Sequence, residues 1–352
     1  MLVRELKLRP SRKLEETLSS WLWHLTGVYN FGIRKIDRNA RDKIYFSSFD
    51  FSNLIANHSK LMEIPSHTMQ ATLMVAYTAW KRCFKKLAKK PKLKGVRNKL
   101  RSISFPDPIS ASKISNNKVR LPGLGGIRYF KQELPNGKIK QGRIVKKASG
   151  WYLQLLIETT HTFKVCNTTN KVGIDTGFKH LAVLSDGTKY DNPRNFVAGQ
   201  ERLAQAQRGN RNKLAARLHE RVANRRRDNN HKVSKEIVQN YAEIYVTNDR
   251  LKGQAKRFGK SIGDAGISQL RNFISYKSDN HGRKFGLVAS PFTTMTCSAC
   301  GSLTGPKGLI GLAVRFWECS ACGAYHDRDI NSSMVVLNTG VGTTHEVSHA
   351  TA

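Results

Sequence analysis

Along residues 1–9 (MLVRELKLR) apolar and charged side chains alternate, the period-two pattern of a half-buried strand. The period then lengthens. Leu14, Leu18, Trp21, Leu22, Leu25, Val28 and Tyr29 recur at three- and four-residue steps, which predicts an amphipathic helix to about Ile36. Met69, Leu73, Ala76, Trp80 and Phe84 repeat the pattern and predict a second helix over Ser66–Ala88. The aromatics Trp21, Trp23, Tyr29 and Phe31 read first as core, although exposed rings of this kind also stack on bases. From Lys94 to Thr160 short β-rich runs such as SISF and GWYLQLLIET alternate with Gly, Pro and Asn turns and predict a small antiparallel barrel. Strand 1–9 joins that barrel, with the helices of 10–90 inserted into it.

Beyond residue 170 the texture changes again. A strand ends on Asp175, Gly177 allows a turn, and Leu181–Leu184 returns as a second strand to a Ser-Asp-Gly turn. Residues 199–240 form a basic helical region, Tyr241–Val246 reads as a further strand, and another begins at Phe285. The apolar run Met334–Leu337 follows a cluster of Asp, Asn and Ser, which are helix-capping residues. After about Asn338 small and polar residues predict a poorly ordered tail.

Charge narrows the function. The 352 residues carry 60 Lys+Arg against 25 Asp+Glu, a net +35, and 39% are apolar. That length and apolar share predict a globular protein of two or three domains. Self-repulsion on this scale is relieved by a polyanion, and phosphate backbones are the natural one. An anionic membrane surface is the rival, but it calls for a basic amphipathic helix or a lipidation signal, and neither is evident. Two tracts stand out as phosphate contacts: Lys85, Lys86, Lys89 and Lys90, and the helical Arg221, Arg225, Arg226, Arg227 and Lys232. A solvated face without a partner is the plain alternative for each.

Four cysteines add a metal. Cys297/Cys300 and Cys319/Cys322 form a C-x₂-C-x₁₈-C-x₂-C array, in which two turns aim four thiolates at one point. Such a cage suits structural Zn(2+). Two disulfides or idle thiols are the alternative. With neither a secretory segment nor a long apolar run evident, the expected compartment is the reducing cytoplasm, nucleoid-associated. Cys83 and Cys166 are isolated and read as packing residues.

The fragment Gly173-Ile174-Asp175-Thr176-Gly177, continued by Ala182 and Ser185-Asp186-Gly187, and the later Asp327-Arg328-Asp329-Ile330-Asn331-Ser332-Ser333 beside the cysteine array resemble one family. It is the OrfB/TnpB proteins of bacterial insertion sequences, relatives of type V CRISPR effectors. Arg221–Ser234 is similar to a basic helix of that family that lies beside the guide–target heteroduplex. The resemblance implies an α+β multidomain fold: a wedge-like N-terminal β-barrel (1–9 and 91–168) with a helical recognition insert (10–90). It then implies a RuvC/RNase H-like α/β domain (169–292 and 326–338, basic helices at 199–240) carrying a four-Cys zinc ribbon (293–325), and leaves 339–352 as a disordered tail.

The same resemblance makes Asp175 and Asp329 the first and third catalytic carboxylates, with Asp327 a further candidate. The second, a Glu, is missing. Thr247 stands where it belongs, and the strand from Phe285 to Thr296, which carries it in some members, has no acid. Asp249, two residues on, is the candidate replacement. The implied function is recognition of double-stranded DNA complementary to a bound guide RNA beside a short flanking motif. The nuclease is expected to be impaired, so that the protein acts by DNA occupancy. Two alternatives stay open: a Mg(2+)-dependent endonuclease using Asp175, Asp249 and Asp329, and an unguided zinc-ribbon transposition accessory protein.

Overall fold

In the computed structural model the described residues are 1–55, 63–159, 168–248, 259–308, 311 and 313–349. The chain divides into two compact units, Met1–His161 and Thr162–Ala352. Among the described residues no helix is long and apolar enough to cross a membrane.

The first unit is built on a seven-stranded antiparallel sheet of order β2-β6-β7-β1-β5-β4-β3. Strand β1 (Leu2–Arg9) lies inside it, paired with β7 (Gly150–Glu158) and β5 (Gly125–Tyr129). The long hairpin of β6 (Lys138–Lys147) and β7 leads to β2 (Ser102–Phe105) at one edge. Strands β3 (Ile114–Ser115) and β4 (Lys118–Leu121) finish the other. No pairing between described strands closes β2 onto β3, so the hydrogen-bonded ladder is open where the sequence predicts a barrel. The edge strands are short, four residues in β2 and two in β3.

Among the described residues three α-helices lie between β1 and β2 in the chain: α1 (Arg12–Arg41), α2 (Ser48–Asn53) and α3 (Ser66–Phe84). Ser11 caps α1 by accepting the Leu14 N–H. The predicted stripe is the buried one: Leu18, Trp21, Leu22 and Leu25 on α1 meet the core with Met69, Leu73 and Ala76 on α3. Trp23 and Phe31 face outward instead. α3 stops at Phe84, four residues before the predicted end, because Lys86 takes a left-handed backbone conformation and breaks the ladder.

The second unit holds a five-stranded sheet of order β10-β9-β8-β11-β12. β8 (Lys171–Asp175), β9 (His180–Leu184) and β10 (Lys189–Asp191) are antiparallel neighbours. β11 (Glu243–Asn248) runs parallel to β8 on one side and to β12 (Lys284–Ala289) on the other. One face of the sheet packs on α5 (Asn212–Asn240) and α6 (Ile267–Asn280), with Ile174, Ile244, Val246, Val233, Ile237, Leu270 and Ile274 as the core. α4 (Asn195–Arg208) is separate from α5, where the sequence suggests one basic region; Gly209-Asn210 interrupts it, with Asn210 left-handed.

The other face carries α7 (Arg328–His349). The approach is close: a Cβ on Gly173 of β8 would run into the Ser333 carbonyl and the Leu337 backbone. A Cβ on Gly340 would likewise strike the Tyr245 ring. The helix runs to His349, where the sequence predicts a poorly ordered tail from 339. Val336, Leu337 and Val341 pack with Tyr245 and Val288, and Gly340 clears the ring, so the apolar stripe outlasts the Met334–Leu337 run.

Candidate functional site

The α7 face of the sheet follows from strand alternation. Gly173 points at α7, so Asp175, two residues on, shares that face at the end of β8. Tyr245 touches α7 as well, which puts Thr247 on the same face of β11. Val246 pairs with Ile174, so Thr247 is next in register beside Asp175, and Val288 of β12 pairs with Thr247 on its far side. The row across the three strands therefore reads Asp175, Thr247, Val288.

Thr247 is fully buried. Its Oγ1 accepts the Thr176 N–H at 3.3 Å and lies 3.1 Å from Thr176 Oγ1, to which Arg271 Nη2 donates at 3.3 Å. A neutral hydroxyl thus closes a hydrogen-bonded set at the position where a carboxylate was sought. Asp249 lies outside the described residues.

At the start of α7 the two aspartates do different work. Asp327 Oδ1 accepts the backbone N–H groups of Asp329 (2.9 Å) and Ile330 (3.2 Å), which is helix capping, and Oδ2 takes Lys189 Nζ at 2.6 Å. Burial alone would raise the Asp327 pKa, but Lys189 and these N–H groups override it and hold the carboxyl below its ordinary value. Asp329, in the first turn, is held by Arg328 Nη2 at 2.9 Å and Arg315 Nη1 at 3.3 Å. Ser333, one turn further along α7, touches β8 at Gly173, so Asp175 and Asp329 sit on two elements in direct contact.

The metal cluster is complete. Ligand atoms of Cys297, Cys300, Cys319 and Cys322 all lie within 4.8 Å of one another. Sγ–Sγ separations of 3.8 Å (Cys297–Cys322) and 3.6 Å (Cys300–Cys319) are far too long for disulfides, whose bond is about 2.05 Å. They match the edge of a tetrahedron with arms of about 2.3 Å, which is about 3.8 Å. Both turns are built alike. Gly301 N–H donates to the Cys297 carbonyl and Gly323 N–H to that of Cys319, each at 2.8 Å, with both glycines at positive φ. The Thr304 hydroxyl, 3.1 Å from Cys319 Sγ, lowers that thiol's pKa. At Cys322 the Ala324 N–H is outweighed by the neighbouring sulfurs of Cys300, Cys319 and Cys297, which push that thiol up, a mutual repulsion that a cation among the four would relieve. This cluster can bind a metal ion such as zinc.

Of the basic residues singled out on α5, Arg221, Arg225, Arg227 and Lys232 are exposed, the last in an ion pair with Asp228 at 2.9 Å. Arg226 differs: it is partly buried and donates to the Gly263 carbonyl. In the first unit Lys85, Lys86 and Lys89 are exposed, whereas Lys90 takes Asp37 at 2.6 Å and lies 5.4 Å above the Trp80 ring.

Comparison with known proteins decides the family. Residues 154–256 match the OrfB_IS605 pattern ("Probable transposase"), and residues 268–336 match the Cas12f1-like TNB domain. A Streptomyces pristinaespiralis protein named as a candidate RNA-guided DNA endonuclease is 31% identical over 301 residues, covering 80% of this chain and 73% of the relative. The chain belongs to the OrfB/TnpB family. InsQ of Escherichia coli K12, also named as a candidate RNA-guided DNA endonuclease, is 26% identical over 309 residues, 80% of this chain and 76% of its own. A solved Cas12f1–sgRNA–target DNA complex aligns over 97% of this chain and 100% of its own at 15% identity and TM-score 0.39, too distant a likeness to argue from.

Within this TnpB-like chain, Thr176 and Arg271 are the site neighbours that sequence reading passed over. Arg271 is almost fully buried beside Ile267, Leu270 and Ile274 on α6. An arginine inside an apolar helical stripe was the available signal, since a buried guanidinium needs acceptors nearby.

Proposed function

We propose that the protein is an RNA-guided DNA-binding protein of the TnpB type whose nuclease is impaired and which acts by occupying DNA. Pairing between a bound guide RNA and one DNA strand reads the sequence, and the protein reads a short flanking motif. Family membership and the names of the relatives support the guided chemistry. The net charge of +35 supports the phosphate partners. On this reading the first unit is the wedge with its helical recognition insert. The second is a RuvC/RNase H-like domain, a reading supported by three antiparallel strands followed by two parallel ones. The four cysteines would hold structural Zn(2+), cross-linking residues on either side of the ribbon.

The observation that carries the impairment is Thr247. Two-metal phosphodiester cleavage needs carboxylates on both ions. Mg(2+) fits this face only in part. Asp175 and Asp329 offer oxygens, but Arg315 and Arg328 already hold those of Asp329, and Asp175 is flanked by a buried threonine. The cytoplasmic nucleoid is the setting this reading implies.

The test of guided binding is retention of a DNA target matched to the copurifying RNA, before and after RNase. Loss of retention after RNase, and on mismatching the target, supports the reading. Equal retention of unmatched DNA after RNase would replace it with the unguided accessory protein.

A further inference from the structure

A pocket in the helical insert remains unexplained by any of this. It is a cavity of about 150 Å³ between α1, the loop that follows it, and α3. Its walls are mostly aromatic and aliphatic, with Ile36, Tyr77 and Trp80 deep and Tyr45 and Phe84 at the rim. The rim rings are unusually open for their size, Tyr45 at 74% and Phe84 at 51% exposure. An apolar cavity of roughly this volume accommodates one six-membered ring.

Two polar groups make it more than a greasy hole. Asn39 lines the cavity at 8% exposure and brings a carboxamide, which offers both a donor and an acceptor, to its wall. Trp80 Nε1, also in the lining, is a buried donor without a partner. Buried polar groups are almost always satisfied, so the unmet Trp80 N–H calls for a ligand that supplies an acceptor, and the Asn39 carboxamide in the same wall can pair with that ligand's edge. The ligand must also be flat and apolar in body, to lie against Trp80 and Phe84, which stack at 5.1 Å.

Charge around the mouth fixes the class. Lys81 lines it, Lys85 follows Phe84 directly, and Lys90 sits over the Trp80 ring, with Asp37 answering only the last of these. A planar ring with a hydrogen-bonding edge, attached to a phosphate, is a nucleotide. Bases in a DNA duplex are paired and stacked, and extruding one costs a few kcal/mol. RNA loops and bulges already present unstacked bases, which aromatic side chains take up. We propose that this pocket receives one unstacked base of the bound guide RNA, an assignment that rests on the guided reading above. Asn39, with both a donor and an acceptor, reads the edge of that base.

The test uses the full-length protein with its copurifying RNA, irradiated with ultraviolet light, digested and mapped by mass spectrometry. A ribonucleotide adduct is expected on the peptide carrying Tyr45 or the one carrying Trp80 and Phe84. Tyr45→Ala and Phe84→Ala each weaken binding of that RNA roughly five- to a hundredfold, the range for one lost base stack. Val75→Ala, exposed on α3 outside the pocket, leaves it unchanged. Changing the crosslinked base alters the affinity of the natural protein but not of Asn39→Ala, a selectivity that a merely structural role would not produce. RNA binding unchanged in both aromatic variants overturns the pocket alone. An adduct seen only after target DNA is added makes it a DNA-base site and overturns the assignment to RNA. Protein that carries no RNA overturns this assignment and the guided reading together.

Discussion

Thr247 Oγ1 lies 3.1 Å from Thr176 Oγ1, fully buried, one strand over from Asp175. The register position beside Asp175 thus holds a hydroxyl rather than a carboxylate, and the Arg271 guanidinium donates to the Thr176 end of the pair. Thr247→Glu would place a carboxylate there, and with Mg(2+) the guide-loaded variant is expected to nick matched plasmid. Without metal the same variant loses stability, since burying a carboxylate in place of a neutral hydroxyl carries a desolvation cost. Thr247→Val keeps the volume but removes the hydroxyl that accepts the Thr176 N–H, at a cost of about 1 kcal/mol in urea unfolding. Thr247→Glu that stays stable without metal and never nicks would remove the missing carboxylate as the cause.

The cysteine cage makes a separable prediction. Metal analysis should find one Zn per chain, and Cys319→Ser or chelation should lower that ratio and unfold the segment around the two turns. Far below one Zn in fresh, folded protein contradicts the assignment.

Adjacent arginines on α5 should behave differently. Arg225 is exposed, so Arg225→Ala lowers the salt dependence of nucleic-acid binding by about 0.9 in log–log slope and leaves stability within about 0.5 kcal/mol. Arg226 donates to the Gly263 carbonyl, and Arg226→Ala should cost about 1–2 kcal/mol of stability. Salt-series binding and urea melts of the two variants check the contrast.

His231 gives a pH dependence. Burial lowers its pKa from the ordinary 6.5, and Lys277 and Arg227 push the same way, with the ring stacked on Phe273 at 3.9 Å. The unfolded chain therefore takes up this proton first as pH falls below about 6.5, so stability is full above that value and declines below it. His231→Gln should flatten that part of the decline, measured as urea midpoints from about pH 7 to about pH 5.

Much of this was legible in the sequence, for physical reasons. Period-two and period-3.6 patterns report burial directly, which is why β1, the buried stripes of α1 and α3, and β8 ending at Asp175 could be read. The cysteine spacing encodes its own geometry. The buried set of Thr176, Thr247 and Arg271 brings together residues 71 and 95 positions apart, and no local pattern announces such contacts. The Asn39 pocket escaped for the same reason, since one asparagine on an apolar helix face looks like noise until α3 closes over it. The helix past Asn338 was hidden because its glycine reads as a breaker, whereas here it makes room for Tyr245.

The most direct measurement of the central claim is incubation of the natural protein, with its copurified RNA and Mg(2+), on a plasmid carrying the matched target, with binding and cleavage scored in the same tubes. The account predicts guide-dependent retention of intact plasmid. Guide-dependent cutting would contradict the impairment and turn attention to Asp249 as the missing carboxylate.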